Sequence, residues 1–399
     1  MQITPEFIRD PFPTYRRMRE EAAAHWSDAN GGTWFIPRYK DVREGFLDLR
    51  LSSSRKSGAA VNQFPEHIRA EFSAASEVLR EWLVLQDPPR HTALRKLMTR
   101  GFVRPILEGL RPRIQEVTDQ LLDRAAAEGT INFVDAFARP LPGQIVCDLL
   151  GVDSAVQDDF MRWSEDIVSF GGSLRPSEEL FRRAMTSVLE MIDYFRQIVP
   201  KRRLEQGSDM ISLLLRAEEA GDVVTPDQVL ANCVQLVFAG HETTRNLLAN
   251  ALYLLLTHPE AHADLQREPG LMSNAVLEFL RMESPLQLIR RVVDVDMEWC
   301  DVRMKAGDGL VLMTGSANRD PAAFEDPDRL DIRRAPSKQL AFGHGIHRCI
   351  GAELAAIETE IGLNTVLRRF PRIRLAKPEP QRVMNPMLRG LSELAVDLG

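Results

Sequence analysis

Apolar residues along the chain recur mostly at helical spacing, with strand-like alternation confined to a few short stretches, which predicts a mainly α fold. Amphipathic patterns place helices over residues 8–24, introduced by Asp10-Pro11, and over 39–49. Further helices are expected at 106–127, 141–150, 154–170 and 177–205. His25-Trp26-Ser27 and Thr33-Trp34-Phe35-Ile36 alternate on either side of Asp28-Ala29-Asn30-Gly31-Gly32, the pattern of a β-hairpin. A strand follows the break at Ser284-Pro285, and residues 294–312 alternate like a small sheet turning at Ala306-Gly307-Asp308. Residues 51–72 keep no period and read as a loop with short helical pieces, and long irregular segments inside compact domains are usually functional.

The longest periodic stretch opens at Thr225-Pro226-Asp227-Gln228, a capping box with proline at the first helical position. It is apolar nearly all round, the mark of a buried helix, and runs to Thr257 before His258-Pro259. At about 1.5 Å per residue it reaches roughly 48 Å, enough to cross the molecule. In its middle stands Ala239-Gly240-His241-Glu242-Thr243-Thr244. Glycine and threonine are poor choices there and a buried charge is costly, and such local inconsistency is expected at functional sites. A zinc-protease reading of His241-Glu242 fails, because Arg245 stands where the second histidine must be. Threonine hydroxyls bonding back to the preceding turn are the structural alternative.

Composition narrows the class. The 399 residues are 44% hydrophobic, ample for a large core, and the net charge of −7 predicts no general attraction to nucleic acid or anionic membrane. No apolar run is long enough to span a bilayer and the N-terminus does not read as a signal peptide. Four cysteines (Cys147, Cys233, Cys300, Cys349) lack pairing spacings, which suits a reducing compartment. A cytoplasmic protein is expected.

One cysteine has a distinctive setting. Phe342-Gly343-His344-Gly345-Ile346-His347-Arg348-Cys349-Ile350-Gly351 is a glycine-punctuated loop directly before a strong helix-forming run, 352–360. Unpaired N–H groups at a helix start favour thiolate over thiol. Three readings compete: a turn with a buried free cysteine, a zinc site on His344, His347 and Cys349 that lacks a fourth ligand, and an axial thiolate to haem. The pattern Phe-Gly-x-Gly-x-His-x-Cys-x-Gly resembles the haem-binding signature of the cytochrome P450 family at every fixed position.

That resemblance extends over essentially the whole chain. It implies the cytochrome P450 fold, one triangular helical domain over 1–399 with a small β-rich subdomain. It implies haem b on the Cys349 thiolate, with Phe342, Gly343 and Gly351 packed about it and His91, Arg95, Arg291 and His347 on its propionates. Ala239, Gly240, Glu242 and Thr243 resemble the family's Ala-Gly-x-(Asp/Glu)-Thr motif, which leaves room for dioxygen and relays protons. Glu278 and Arg281 match its Glu-x-x-Arg, joined by a third arginine, Arg334 in preference to Arg333. Substrate would meet Val237, Phe238, Leu286, Leu288, Ile289, Met387 and Leu388, under a lid formed by the break at 170–176. The implied activity is insertion of one oxygen atom from O2 into an apolar substrate by a monomer, in natural-product biosynthesis. Electrons would come from NAD(P)H through a ferredoxin or flavodoxin-type donor docked on the basic face of Arg90, Lys96, Arg100 and Arg104. A peroxide-driven peroxygenase, a catabolic hydroxylase of aromatic or terpenoid compounds, and a haem protein without turnover are the alternatives.

Overall fold

The computed structural model describes residues 3–28, 32–55, 63–173, 176–205, 207–221, 225–335 and 338–399. The expected turn at 29–31, part of the irregular segment (56–62) and Leu174-Arg175 of the interhelical break lie outside them. The main helices are Phe12–Glu21 (α1), Arg90–Thr99 (α2), Arg104–Ala126 (α3), Pro140–Leu150 (α4), Gln157–Gly172 (α5), Glu178–Leu204 (α6), Met210–Glu219 (α7), Pro226–Thr257 (α8), Met272–Met282 (α9) and Ala352–Arg369 (α10). Local chemistry sets several boundaries. Ser177 caps α6 through the Leu180 N–H, and α4 stops at Gly151, whose φ of 71° is left-handed. The capping box at Thr225 and Gln228 forms with both bonds at 3.2 Å. The helix over 39–49 is shorter than expected, ending at Gly45.

The β part is small. His25–Ser27 (β1), Thr33–Ile36 (β2), Leu51–Ser52 (β3), Ile289–Val293 and Gly309–Leu312 form one sheet. With Thr130–Asn132 as β4, Ile289–Val293 is β5, Met297–Trp299 β6, Val302–Met304 β7 and Gly309–Leu312 β8. The sheet order is β1-β2-β8-β5-β3. The β1/β2 pairing is the expected hairpin, His25 facing Phe35. Strand β3 was expected as loop; only two residues long, it carries no period of its own and is held by pairing with β5. Gly307, with φ 95°, makes the expected turn, but a second one falls at Cys300-Asp301, both with positive φ. The small sheet expected over 294–312 thus includes a β6/β7 hairpin that no glycine announces.

Helix α8 threads two cores. Its first half, Val229 to Val237, packs with α2, α4, α5, α6 and α7, while Leu247 to Leu255 pack with α3, α9 and α10. The segment between belongs to neither cluster of buried apolar residues. A third cluster lies on one side of the sheet (Ile36, Leu51, Val293, Leu310, Leu312) and a fourth on the other (Phe35, Leu288, Val311).

A buried ionic group fixes the approach to Cys349. Arg281 donates from Nε and Nη2 to both oxygens of Glu278, each at 2.8 Å, and has no solvent-exposed side-chain surface. The third arginine is Arg334, whose Nε lies 3.2 Å from Glu278; Arg333 pairs instead with Glu268 at 2.5 Å. Arg281 Nη1 also donates to the Asn318 carbonyl, and the Asn318 side chain accepts from the Leu340 N–H at 2.7 Å, two residues before Phe342. Arg281→Ala leaves the Glu278 charge with Arg334 as its one arginine partner, beside the Asp331 N–H, so a loss of about 3–5 kcal/mol is expected in chemical denaturation. A loss below about 1 kcal/mol contradicts this account of the loop's support.

Candidate functional site

Two internal surfaces stand open in an otherwise close-packed interior. The first is on α8. From Gln228 to Leu252 every residue is buried except Phe238, Ala239, Gly240 and Thr243, and of these Ala239 is exposed. Residues 239, 240 and 243 share one helix face. The second is at Cys349, whose residue surface is exposed although protein surrounds it so fully that burial is the main force raising its thiol pKa. Both observations hold together when the sulfur borders an interior space. The Gly351 N–H, then Arg95 and Arg348, act in the other direction and favour thiolate.

The loop carrying Cys349 is held by its own backbone. The Cys349 N–H donates to the Phe342 carbonyl at 2.8 Å, with a single 3-10 turn, Gly345–His347, between them. Gly345 (φ 69°) passes so near the chain at residue 46 that a Cβ would lie 2.8 Å from the Phe46 carbonyl oxygen. Gly343 shares the left-handed conformation at φ 68°. At Gly351 a Cβ would meet only Phe102, at 3.9 Å. Helix α10 begins at the next residue. Among the described residues no group of three His, Cys, Asp or Glu side chains is placed to hold a metal ion, His344, His347 and Cys349 included.

Around this loop lies a group of cationic and imidazole side chains, and the carboxylate that acts on His91 and Arg291 is Asp87, itself hydrogen-bonded by Ser52, Ser53 and Ser54. His91 and His347 rings approach to 4.3 Å between centroids. His91 is 2% exposed and neither ring nitrogen has a hydrogen-bond partner. Burial first, and then Arg95, holds its pKa below the usual histidine range. Burial likewise lowers Arg95, partly offset by Cys349, and brings Arg291 down to about 10. Arg291 donates to the neighbouring Arg290 carbonyl at 2.8 Å and sits over the Phe46 ring. Of the expected basic face, Arg90, Lys96, Arg100 and Arg104 are all exposed, Arg90 pairing with Glu81 at 2.5 Å and Arg104 approaching Glu108 at 3.9 Å, and Arg348 is exposed as well.

On α8 the motif residues divide by face. Thr243 donates its hydroxyl to the Ala239 carbonyl at 3.0 Å, as the structural alternative for threonine expects. Glu242 is buried and accepts two bonds from Arg245 Nη1, at 2.8 and 3.0 Å, and one from Asn246 at 3.4 Å. Arg245 approaches Glu165 at 3.7 Å, and Glu165, 38% exposed, pairs with Arg139 at 2.8 Å. Burial raises the Glu242 pKa and Arg245 opposes it. Gly240 is small for a packing reason: a Cβ there would lie 2.8 Å from Val146 on α4. Ala239, and not Gly240, supplies the open surface.

The expected pocket wall also divides. Phe238 is half-open, its ring 5.0 Å from that of Trp82. Leu286, Ile289 and Met387 are half-open, and Leu388 bridges Leu286 backbone to backbone. Val237 and Leu288 are fully buried in the second and fourth clusters, since they point away from the open faces of α8 and β5. Sequence reasoning passed over Arg245, although its i, i+3 spacing to Glu242 was the available signal, and Trp82, for which no local pattern existed.

Glu358 on α10 is buried, with one carboxyl oxygen lacking any partner, and burial pushes it up to about 8 from an ordinary 4.5. Between those values the unfolded chain has lost a proton that the folded chain keeps, so stability falls as pH rises through that window. Glu358→Gln should flatten this slope in denaturation measured at about pH 5 and about pH 8. Equal slopes in both proteins contradict it.

Comparison with known proteins places these features in a wider set. The family model described as cytochrome P450 matches residues 61–392. The chain is 38% identical to cytochrome P450 107B1 of Saccharopolyspora erythraea, over 98% of this chain and 96% of that one. It is 34% identical to 6-deoxyerythronolide B hydroxylase of the same organism, covering 98% and 97%. Among solved structures, P450BioI in complex with an acyl carrier protein bearing hexadec-9Z-enoic acid superposes with a TM-score of 0.91, at 30% identity, over 99% of this chain and 100% of that one.

Proposed function

The chain belongs to the cytochrome P450 family, and on that footing we propose that Cys349 Sγ would hold the iron of a haem b, bound where the two open surfaces face the interior. Members of the family are monooxygenases that use haem with a cysteine thiolate, dioxygen and electrons from a redox partner, and this chain is one of them. The observation that carries the assignment is the coincidence of an accessible, enclosed sulfur with desolvated cations, Arg95 and Arg291, whose burial outweighs the offset from Cys349 and Asp87. His91, Arg95, Arg291 and His347 fit two propionates: a carboxylate would satisfy the orphaned imidazole and the desolvated guanidinium groups by charge-assisted bonds. Gly351 leaves room for a flat partner without a protein clash, and Phe342 with Gly343 packs the loop beside the sulfur.

When bound, the haem supplies dioxygen activation, and thiolate donation favours O–O cleavage. The chain's own residues position and deliver protons. Thr243 Oγ1 sits on the open face of α8, and rotation about its Cα–Cβ bond moves the hydroxyl from the Ala239 carbonyl into the chamber. Glu242 holds the next proton: burial favours its neutral form, Arg245 and Asn246 its charged form, so neither state is locked. Arg245 and half-exposed Glu165 connect it to solvent. Ala239 keeps the face clear of side chain.

Phe238, Leu286, Ile289, Met387 and Leu388 present hydrocarbon to the chamber, which suits an apolar, medium-to-large substrate. Relatives named 6-deoxyerythronolide B hydroxylase and polyketide biosynthesis cytochrome P450 PksS support a role in natural-product biosynthesis. A ferredoxin or flavodoxin-type donor would meet exposed Lys96, Arg100 and Arg348, a basic patch on a chain of net charge −7. The protein would work as a cytoplasmic monomer, where four scattered thiols stay reduced.

Thr243→Ala tests the proton assignment. NAD(P)H oxidation continues, product per NAD(P)H falls about tenfold and hydrogen peroxide rises to match. Unchanged coupling removes Thr243 from the mechanism.

A further inference from the structure

His241 is a buried imidazole that the proton route from Glu165 through Arg245 and Glu242 to Thr243 leaves unused. It is 2% exposed, and neither ring nitrogen has a hydrogen-bond partner. It stands on α8 between Gly240 and Glu242, buried where Ala239 and Thr243 open on the chamber. Its charged neighbours beyond Glu242 are cations. Burial first, then Arg245 and Arg139, push it down to about 3, against a smaller opposing pull from the Arg139 backbone. The ring is therefore uncharged near neutral pH, with one N–H donor and one acceptor nitrogen.

Glu242 has a use for an acceptor there. The bonds it makes are those of a carboxylate: Arg245 Nη1 donates at 2.8 and 3.0 Å, and Asn246 Nδ2 at 3.4 Å. A guanidinium can only donate, so that contact serves the charged form. Once protonated, Glu242 carries an O–H, and a buried donor without an acceptor is costly. His241 Nδ1 stands 4.0 Å from Glu242 Oε2. That is about one ångström beyond a hydrogen bond, a gap that rotation of the ring about its Cβ–Cγ bond closes. The other charged group acting on Glu242, Glu165 on α5, is itself held by Arg139 at 2.8 Å.

We propose that neutral His241 is the positioning residue for the Glu242 proton: Nδ1 accepts the hydrogen bond of the protonated carboxyl, and the imidazole keeps its own proton on Nε2, toward the Arg139 backbone. Glu242 then has two settings. As a carboxylate it is bonded by Arg245 and Asn246; as a carboxylic acid it turns its O–H to His241. Giving the proton up to the chamber returns it to the first setting, and taking one from the Glu165 side returns it to the second. This deepens the proposed function and rests on the place given there to Glu242.

The test is infrared difference spectroscopy of the haem-loaded protein in its reduced carbon monoxide form, which reads the C=O stretch of protonated Glu242 without turnover. The band is identified by its loss in Glu242→Gln, and it should lie at the lowered frequency of a hydrogen-bonded acid. In His241→Phe the band should rise in frequency and its pH midpoint should fall by about one unit, a tenfold weaker hold on the proton. The sign follows from the missing acceptor: the neutral acid loses its bond while the carboxylate keeps Arg245, so deprotonation begins at lower pH. His241→Asn, which sets an amide oxygen near the place of Nδ1, should restore proton affinity to within about twofold. The absence of such a band, a band at the frequency of a free acid, a midpoint unmoved in His241→Phe, or one that His241→Asn lowers equally would each overturn the proposal. The frequency is read in the unsubstituted chain, so a failure of His241→Phe to fold does not spare it. If the hydrogen bond is found while Glu242→Gln leaves product per NAD(P)H unchanged, the proton route fails and the contact stands.

Discussion

Arg281 is the constraint on which the site depends. Its guanidinium, wholly removed from water, is satisfied by Glu278 and by carbonyls of Asn318, Pro327 and Arg329. A charge this deep is tolerable only when every donor has a geometrically good acceptor, so it dictates the path of the chain over 318–334. Asn318 passes that constraint to Leu340 and hence to the loop that carries Cys349. The cysteine's position is thus set by a buried ion pair some seventy residues earlier in sequence and by the loop's own short backbone bonds.

The interior holds a second kind of charge, one left without full compensation. Close to Cys349, Arg95, Arg291 and His91 are desolvated and, among the described residues, make no contact ion pair with a carboxylate, Asp87 offsetting His91 and Arg291 only in part, in contrast with the paired Arg281 and Arg389. The same molecule satisfies some buried cations fully and leaves others bare. The propionates of the proposed haem would supply the charge that the bare ones lack. The haem would also give a reason for the hand-over on α8, where residues 239–244 fall between two hydrophobic clusters. A helix packed on all sides there would leave no chamber.

Much of this was legible in residue order. The capping box, the proline that starts α8 and the loop ending in Cys349 are local signals, and each acts through bonds between near neighbours. The preference for Arg334 over Arg333 also agrees with the geometry. What resisted reading was non-local. Strand β3 exists only through β5, the Cys300-Asp301 turn uses left-handed backbone at residues that rarely adopt it, and Gly240 answers to Val146 on another helix. Burial of Val237 and Leu288 followed from which face each element turns inward. Composition carries no record of that choice, nor of Arg245 closing on Glu242.

Everything chemical in this account passes through the sulfur of residue 349. The most direct measurement is the visible difference spectrum of the reduced protein under carbon monoxide. A strongly red-shifted Soret band, present in the unsubstituted protein and absent from Cys349→His, is the predicted result. A band at the position given by histidine-ligated haem, or one unchanged by that substitution, would contradict the assignment.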